Sequence, residues 1–251
     1  MTKPPRPTTA FVLAAGLGTR MRPLTNDIPK PLVPLAGRPL IDHVLDRLAE
    51  AGITRAVVNV HHYAGKLEAH LKQRTAPEIV ISDERGLLLE TGGGVMHARD
   101  KIGPDPFLIH NSDSVWIEGI GSNLDRLLDA WDDERMDTLM LLAPSATSLG
   151  YDGKGDFFMD PEGRLARQEG ARLAPFVFAG VSIAHPRLFE GAPAGKFSLN
   201  VLWNEAIAHQ RLYGVRMEGT WMHVGDPQAL AEAEEAIREA QPAGSLPETS
   251  Q

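Results

Sequence analysis

A short apolar run at residues 11–14 leads directly into Ala15-Gly16-Leu17-Gly18-Thr19-Arg20, and Lys30 follows beyond two prolines, Pro23 and Pro29. Glycines let backbone N–H groups approach a ligand closely and converge on an anion. Arg20 supplies a planar, two-pronged donor and Lys30 a mobile point charge. Together they suit a polyphosphate. A tight turn carrying solvated cations would use the same residue types. The charge distribution bears on this choice: residues 1–40 hold six cations and one anion, whereas the whole chain of 251 residues carries a net charge of −8. An otherwise acidic protein thus gathers positive charge in a stretch rich in glycine and proline.

The elements that must position these groups alternate. The run at 11–14 reads as a buried strand, and residues 15–39, punctuated by five prolines and Gly37, as a long ordered loop. Pro39 opens a helix with an apolar stripe of Leu40, Ile41, Val44, Leu45 and Leu48, and Gly52 stands where its stop belongs. Strands follow at 56–60 and 78–82, with a short helix at 66–71 between them. Thr91 is placed to cap a helix entered through Gly92, Gly93 and Gly94. A strand at 107–110 comes next. Ser122 and Asp125 form a capping box ahead of Leu124, Leu127, Leu128 and Trp131, and a strand at 138–143 closes this half. The second half is less regular, with strands at 157–159, 176–183 and 212–217, a helix at 199–209 and a last helix from Pro227. Such alternation predicts a mainly parallel sheet with helices on both faces, with ligands at the carboxyl ends of the strands. The expected organisation is a disordered leader at 1–9, one domain at 10–240 and a frayed tail at 241–251.

Composition narrows the chemistry. The absence of cysteine removes disulfides, thiolate metal sites and cysteine nucleophiles. The acidic balance argues against nucleic acid or an anionic membrane as partner, and no apolar run is long enough to span a bilayer. With no signal-peptide pattern, a cytoplasmic protein is expected. Several motifs fail on inspection. Met21 occupies the third glycine of a dinucleotide fingerprint, and no phosphate loop of the G-x-x-x-x-G-K type is present. Gly180-x-Ser182-x-Ala184 falls inside a strand pattern with no helix start after it, and His61-His62 reads as an ordinary strand end.

The stretch from Leu13 to Thr25, followed by Pro29-Lys30-Pro31-Leu32 and the run from Pro34 to Leu40, resembles the signature of sugar-1-phosphate nucleotidyltransferases. Glu90-Thr91-Gly92-Gly93-Gly94, Gly153-x-Gly155-Asp156-Phe157 and the segment from Phe178 to Phe189 look like the bacterial N-acetylmuramic acid 1-phosphate uridylyltransferases of cell-wall recycling. Mannose and heptose 1-phosphate guanylyltransferases share parts of these later motifs. The resemblance spans roughly residues 10–238 and implies a Rossmann-like core.

It also implies transfer of a nucleotidyl group from a nucleoside triphosphate to a sugar 1-phosphate, with pyrophosphate released. The nucleophile would be an ionised phosphate oxygen, so the task is to align two polyanions and stabilise charge rather than to remove a proton. By resemblance, Arg20 and Lys30 are catalytic, the former on the triphosphate, the latter near the α-phosphate and the sugar phosphate. Ala14, Ala15, Gly16, Gly18 and Thr19 would line the nucleotide, and backbone groups of Glu90, Gly92 and Gly93 would read a pyrimidine edge. Asn111 and Asp156 would hold the sugar. Asp113, in the family's Asn-x-Asp pattern, would bind magnesium. The family's second carboxylate lies in a Trp-x-Asp-x-Gly-Thr context, but here the segment reads Trp221-Met222-His223-Val224-Gly225-Asp226. Three arrangements fit: Asp226 replaces the missing carboxylate, His223 binds through water, or the site takes manganese. Small molecules are the expected partners, in a monomer or small homo-oligomer. A uridylyltransferase, a GTP-dependent guanylyltransferase and a catalytically silent nucleotide-sugar sensor are the three readings open at this point.

Overall fold

The computed structural model describes residues 6–240. β1 (Thr9–Leu13) leads into the glycine loop, two 3-10 turns and a tiny hairpin, β2 (Pro34–Leu35) and β3 (Arg38–Pro39). Then come α1 (Leu40–Glu50), β4 (Arg55–Val60), α2 (Ala64–Leu71), β5 (Glu78–Asp83), α3 (Glu90–His97), α4 (Arg99–Ile102), β6 (Phe107–Asn111) and β7 (Ser114–Glu118). The remainder is α5 (Asn123–Ala130), β8 (Thr138–Pro144), β9 (Phe157–Met159), β10 (Leu165–Arg167), β11 (Phe176–Ala184), α6 (Asn200–Ala208), β12 (Leu212–Arg216), β13 (Gly219–His223) and α7 (Pro227–Ala240).

The central sheet runs β5-β4-β1-β6-β11-β8-β12, with β9 and β10 extending it beside the start of β11. β5, β4, β1 and β6 are mutually parallel, β11 is antiparallel to both neighbours, and β8 and β12 are parallel to each other. Period-two alternation divides the strand side chains between two cores. Ala10, Val12, Ala56 and Val58 face α1, α2 and α5, whereas Phe11, Val57 and Ile109 face α3, α4 and α6. The sheet is therefore mixed, mainly parallel and covered on both faces, as its strand–helix alternation requires.

Most expected elements form within a residue or two. The Ser122 hydroxyl accepts from the Asp125 N–H at 3.1 Å, so the capping interaction is real, and Gly52 takes a left-handed φ of +85° just after α1. Four expectations need correction. Thr91 does not cap α3; it lies inside the helix and its hydroxyl accepts from the Leu199 N–H at 2.9 Å. The loop at 15–39 contains the two 3-10 turns and the hairpin, because Met21, Val33 and Leu35 are fully buried and pin it down. β7 and β13, absent from the sequence reading, form a separate antiparallel pair in which His223 faces Ser114. Within the supposed leader, Arg6 is ordered by ion pairs to Asp125 at 2.9 Å and Asp129 at 2.7 Å, and Thr9 already belongs to β1. Residues 1–5 and the tail at 241–251 lie outside the described residues.

A third apolar cluster brings the loop, the β7–β13 pair and α7 together through Met21, Leu35, Val115, Met222 and Leu230. This layer carries the residues after β6 to the same edge of the sheet as the glycine loop.

Candidate active site

The chain leaves β1 toward β4 on one side and later returns to β6 on the other, so strand order reverses between β1 and β6. Such a reversal opens a crevice at the carboxyl ends of the strands. Leu13 and Asn111, the last residues of these strands, stand side by side in register. A cavity of about 350 Å³ opens there, walled by the Leu13–Gly16 segment, Lys30, Asn59, Glu84, Glu90–Thr91 and Asn111–Asp113. That volume lies in the usual range for a small-molecule site.

Gly18 has a left-handed φ of +62°, and its carbonyl accepts from the Thr25 hydroxyl at 2.8 Å and the Met21 N–H at 3.0 Å. A Cβ at Gly18 would stand 3.0 Å from Cβ of Lys30, so this glycine lets the loop close against the base of the lysine side chain. Gly16 is exposed, with no neighbour within 4 Å of the place a Cβ would occupy. Among the described residues, the N–H groups of Gly16 and Leu17 have no protein acceptor, which leaves them to solvent or an anion. Thr19 and Arg20 are exposed on the turn that follows.

The N–H groups of Ala14 and Ala15 are used internally. Both donate to Oδ1 of Asn59, at 2.6 and 3.1 Å, while Nδ2 of Asn59 donates to Oε1 of Glu84 at 2.8 Å. Asn59 is 2% exposed and Glu84 3%. The second Glu84 oxygen accepts from the Leu89 N–H at 3.4 Å, which ties the entry of α3 to the floor of the cavity. Neither residue is singled out by the sequence motifs. The available signal is a polar residue near the end of an otherwise apolar strand, Asn59 in Arg55–Val60, beside a second polar residue just past the end of β5.

Lys30 Nζ lies 2.5 Å from Oδ2 of Asp113, and both side chains are largely screened from solvent. His223 is half-buried on the strand opposite Ser114. Burial lowers its pKa, Arg20 and Lys30 lower it further, and Asp113 and Asp226 oppose the shift. A Cβ at Gly225 would be 2.8 Å from Nε2 of His223 and 3.5 Å from Nη1 of Arg20, so that glycine lets the guanidinium and imidazole approach one another. Arg20, Lys30, Asp113 and His223 thus converge although they come from four separate segments. Asp226 does something else: its Oδ1 accepts from the Ala229 N–H at 3.0 Å, capping α7.

The glycines after Glu90 are not free backbone readers. The N–H groups of Gly92 and Gly93 donate to the Phe197 carbonyl at 2.9 and 3.1 Å. A Cβ at Gly92 would be 2.3 Å from the Phe197 ring, and one at Gly93 2.3 Å from the Gly195 carbonyl oxygen, so packing dictates glycine at both. Glu90 and Thr91 alone of this group line the cavity. Asn111 lies at the cavity and close to Gly180, whose φ of +80° falls within the register shift of β11. Asp156 lies outside the cavity lining; its Oδ2 accepts from the Phe178 N–H at 2.9 Å and latches the approach to β9 onto β11. Of the motifs set aside on sequence, Ser182 is fully buried in β11, whereas His61 Nδ1 bonds the carbonyl of Glu84, a residue of the cavity wall, at 2.7 Å.

Residues 9–151 match the family described as nucleotidyl transferase. Over 238 residues the chain is 51% identical to an N-acetylmuramate alpha-1-phosphate uridylyltransferase of Caulobacter vibrioides, covering 93% of this chain and 98% of that protein. The chain belongs to the nucleotidyl transferase family. A protein of the same description from Neisseria meningitidis is 33% identical over 90% of this chain and 96% of its own length. The crystal structure of apo UDP-glucose pyrophosphorylase superposes with a TM-score of 0.76 at 16% identity, over 93% of this chain and 98% of that one, and so shares the fold. The Rossmann-like nucleotidyltransferase core expected from the sequence is therefore the fold observed.

Nucleotidyl transferases of this family generally use a divalent metal. Among the described residues no group of three or more His, Asp or Glu side chains forms a cage for a cation. Magnesium does not need one: it is commonly held by one or two carboxylates together with substrate phosphates and water. Asp113, a carboxylate at the cavity wall beside the cationic turn, fits that requirement. His223 offers an imidazole nitrogen, a poorer partner for magnesium than a carboxylate oxygen, and burial favours its neutral form.

Proposed function

We propose that this protein transfers a uridylyl group from UTP to N-acetylmuramic acid 1-phosphate, yielding UDP-N-acetylmuramic acid and pyrophosphate. The observation that carries the reading is the 51% identity, maintained over 98% of a relative bearing that activity in its name. The cavity at the β1–β6 switch point supports it, since it brings the free Gly16 N–H, Lys30 and Asp113 together at the end of the sheet, with Arg20 on the adjoining turn.

In this mechanism an ionised oxygen of the sugar phosphate attacks the α-phosphorus of UTP. The bond from that phosphorus to the bridging oxygen of pyrophosphate breaks, and the electron pair leaves with pyrophosphate. The attacking oxygen needs no general base. Gly16 and Leu17 offer N–H groups to the triphosphate, and Arg20 stabilises the charge that builds on the leaving group. Lys30 exchanges its bond to Asp113 for the phosphates and screens the repulsion between the two substrates. Asn59 and Glu84 keep Ala14 and Ala15 fixed beneath the nucleotide, with Glu90 and Thr91 at its rim. Asp113 would hold a divalent cation, which when bound supplies positive charge to the phosphate oxygens. His223 stays neutral beside it and leaves the phosphate-binding charge to Arg20 and Lys30.

Pyrophosphate release from a matrix of four nucleoside triphosphates and several sugar 1-phosphates tests the reading. Turnover confined to UTP with N-acetylmuramic acid 1-phosphate is expected. Turnover with GTP and mannose or heptose 1-phosphate instead would overturn the substrate assignment while leaving the family intact.

A further inference from the structure

Arg167, at the end of β10, is held in an unusual setting. Its Nε donates to Oδ1 of Asn204 at 3.0 Å and its Nη2 to Oδ1 of Asn200 at 2.7 Å. Its guanidinium carbon lies 4.7 Å from the centre of the Phe157 ring and 6.0 Å from that of Trp203, and Trp203 meets the edge of Phe178 at 5.0 Å. Both hydrogen-bond partners are neutral amides. Among the described residues no carboxylate lies within ion-pair distance of Arg167. Asp156 acts on it electrostatically, but one oxygen of that carboxylate is committed to the Phe178 N–H. Two asparagines and two aromatic rings therefore fix the guanidinium plane without neutralising its charge. Arg167 remains only half-buried.

Its position adds to the argument. Asn200 is the first residue of α6, and the preceding Leu199 N–H is anchored on the Thr91 hydroxyl in the cavity wall. On the other side, Phe178 is two residues from Gly180, which lies against Asn111 in the same cavity. Arg167 itself lies outside the cavity lining, but it is linked through α6 to Thr91 on one side and through Trp203 and Phe178 to the strand carrying Gly180 on the other. A restrained guanidinium that makes no ion pair suits a carboxylate bound through two parallel hydrogen bonds, and stacking on aromatic faces selects arginine over lysine for the task.

We infer that Arg167, oriented by Asn200 and Asn204, recognises a carboxylate on the sugar substrate and makes the enzyme select an acidic sugar 1-phosphate over its neutral counterpart. This rests on the acceptor being N-acetylmuramic acid 1-phosphate, which differs from N-acetylglucosamine 1-phosphate by one lactyl ether bearing that carboxylate. A site built to pair with a polar group disfavours an analogue lacking it, because the charged hydrogen bonds are then not made.

The test measures pyrophosphate release with UTP and each of these two acceptors for the full-length wild type, Arg167→Gln and Arg167→Lys. Glutamine keeps a flat amide between the rings but removes the charge; lysine keeps the charge and loses the fork. Arg167→Gln should lower kcat/KM for N-acetylmuramic acid 1-phosphate about 10- to 100-fold, mainly through KM, and leave the rate with N-acetylglucosamine 1-phosphate unchanged. Arg167→Lys should show a smaller loss confined to the same acceptor, and it carries the test should Arg167→Gln not fold. An equal loss with both acceptors would make Arg167 a support for α6, and no loss with either would remove it from the site; both overturn the inference alone. A wild type that ignores N-acetylmuramic acid 1-phosphate would instead overturn the underlying substrate reading, and the inference with it.

Discussion

The pair Asn59–Glu84 offers the sharpest test of how the cavity floor is built. Asn59→Asp is nearly isosteric and keeps an oxygen for the Ala14 and Ala15 N–H groups. It replaces the amide donor, 2.8 Å from Oε1 of Glu84, by a second acceptor. Two carboxylates at that separation repel by about 6 kcal/mol at an effective dielectric constant of about 20. Taking up one proton is cheaper. From an ordinary glutamate pKa near 4.3, protonation at pH 7 costs about 4 kcal/mol, and at pH 5 about 1 kcal/mol. The variant should therefore sit about 4 kcal/mol below wild type at pH 7, about 10 °C in Tm for a chain of this size. The deficit should shrink as pH falls, because a raised carboxyl pKa in the folded state makes folding take up a proton.

Glu84→Gln supplies the internal control. In the double variant Asn59→Asp, Glu84→Gln, the glutamine amide can donate to the new aspartate, so donor and acceptor exchange places and most of the stability should return. Chemical denaturation of the four proteins at pH 7 and pH 5 gives the full cycle. An Asn59→Asp variant within about 1 kcal/mol of wild type at pH 7, or one that Glu84→Gln fails to rescue, would refute the reasoning.

Other outcomes follow from the same geometry. Asp113→Ala should keep the fold and lose most activity at any magnesium concentration; near wild-type turnover would remove Asp113 from the metal site. His223→Asp should lower the magnesium concentration needed for half-maximal activity, whereas Asp226→Ala should leave that titration unchanged and cost about 1 kcal/mol of stability through loss of the α7 cap. His110 is fully buried, stacks on Trp116 at 5.8 Å, and has its pKa pushed down to about 4 by burial. Its contribution to stability is complete above about pH 6.5 and is lost as pH falls toward 4, by about 3 kcal/mol in total. Denaturation curves of wild type and His110→Gln across that range should converge as the pH is lowered, and parallel curves would contradict the assignment.

The parts of the fold set by local pattern were legible in the sequence. The stripe of α1, the Ser122 cap and the apolar strands at the centre of the sheet each announce themselves within a few residues. The β7–β13 pair does not. Its strands are five residues each and lie a hundred residues apart, and their pairing is decided by the third apolar cluster rather than by either sequence. The site divides in the same way. Arg20 and Lys30 could be singled out as cations gathered in a stretch rich in glycine and proline, and Asp113 by its resemblance to the family's Asn-x-Asp pattern. Asn59 and Glu84 could not, because their value lies in a bond between the ends of two neighbouring strands.

The glycines after Glu90 show why a motif can be right about the family and wrong about the contact. Glycine implies that something comes close, and at Gly92 and Gly93 the close neighbours are the Phe197 ring and the Gly195 carbonyl. Their N–H groups are used on the Phe197 carbonyl, so they dock the 195–199 loop to α3 instead of facing the cavity. That docking has a functional consequence. It fixes Thr91, which anchors the start of α6, and α6 presents the two asparagines that orient Arg167. The glycine run therefore acts on the sugar side by holding a helix in place, and the cavity floor belongs to Asn59 and Glu84. Gly93→Ala would accordingly disturb the Arg167 setting through Leu199 and α6 and leave Asn59, Ala14 and Ala15 in their present bonds.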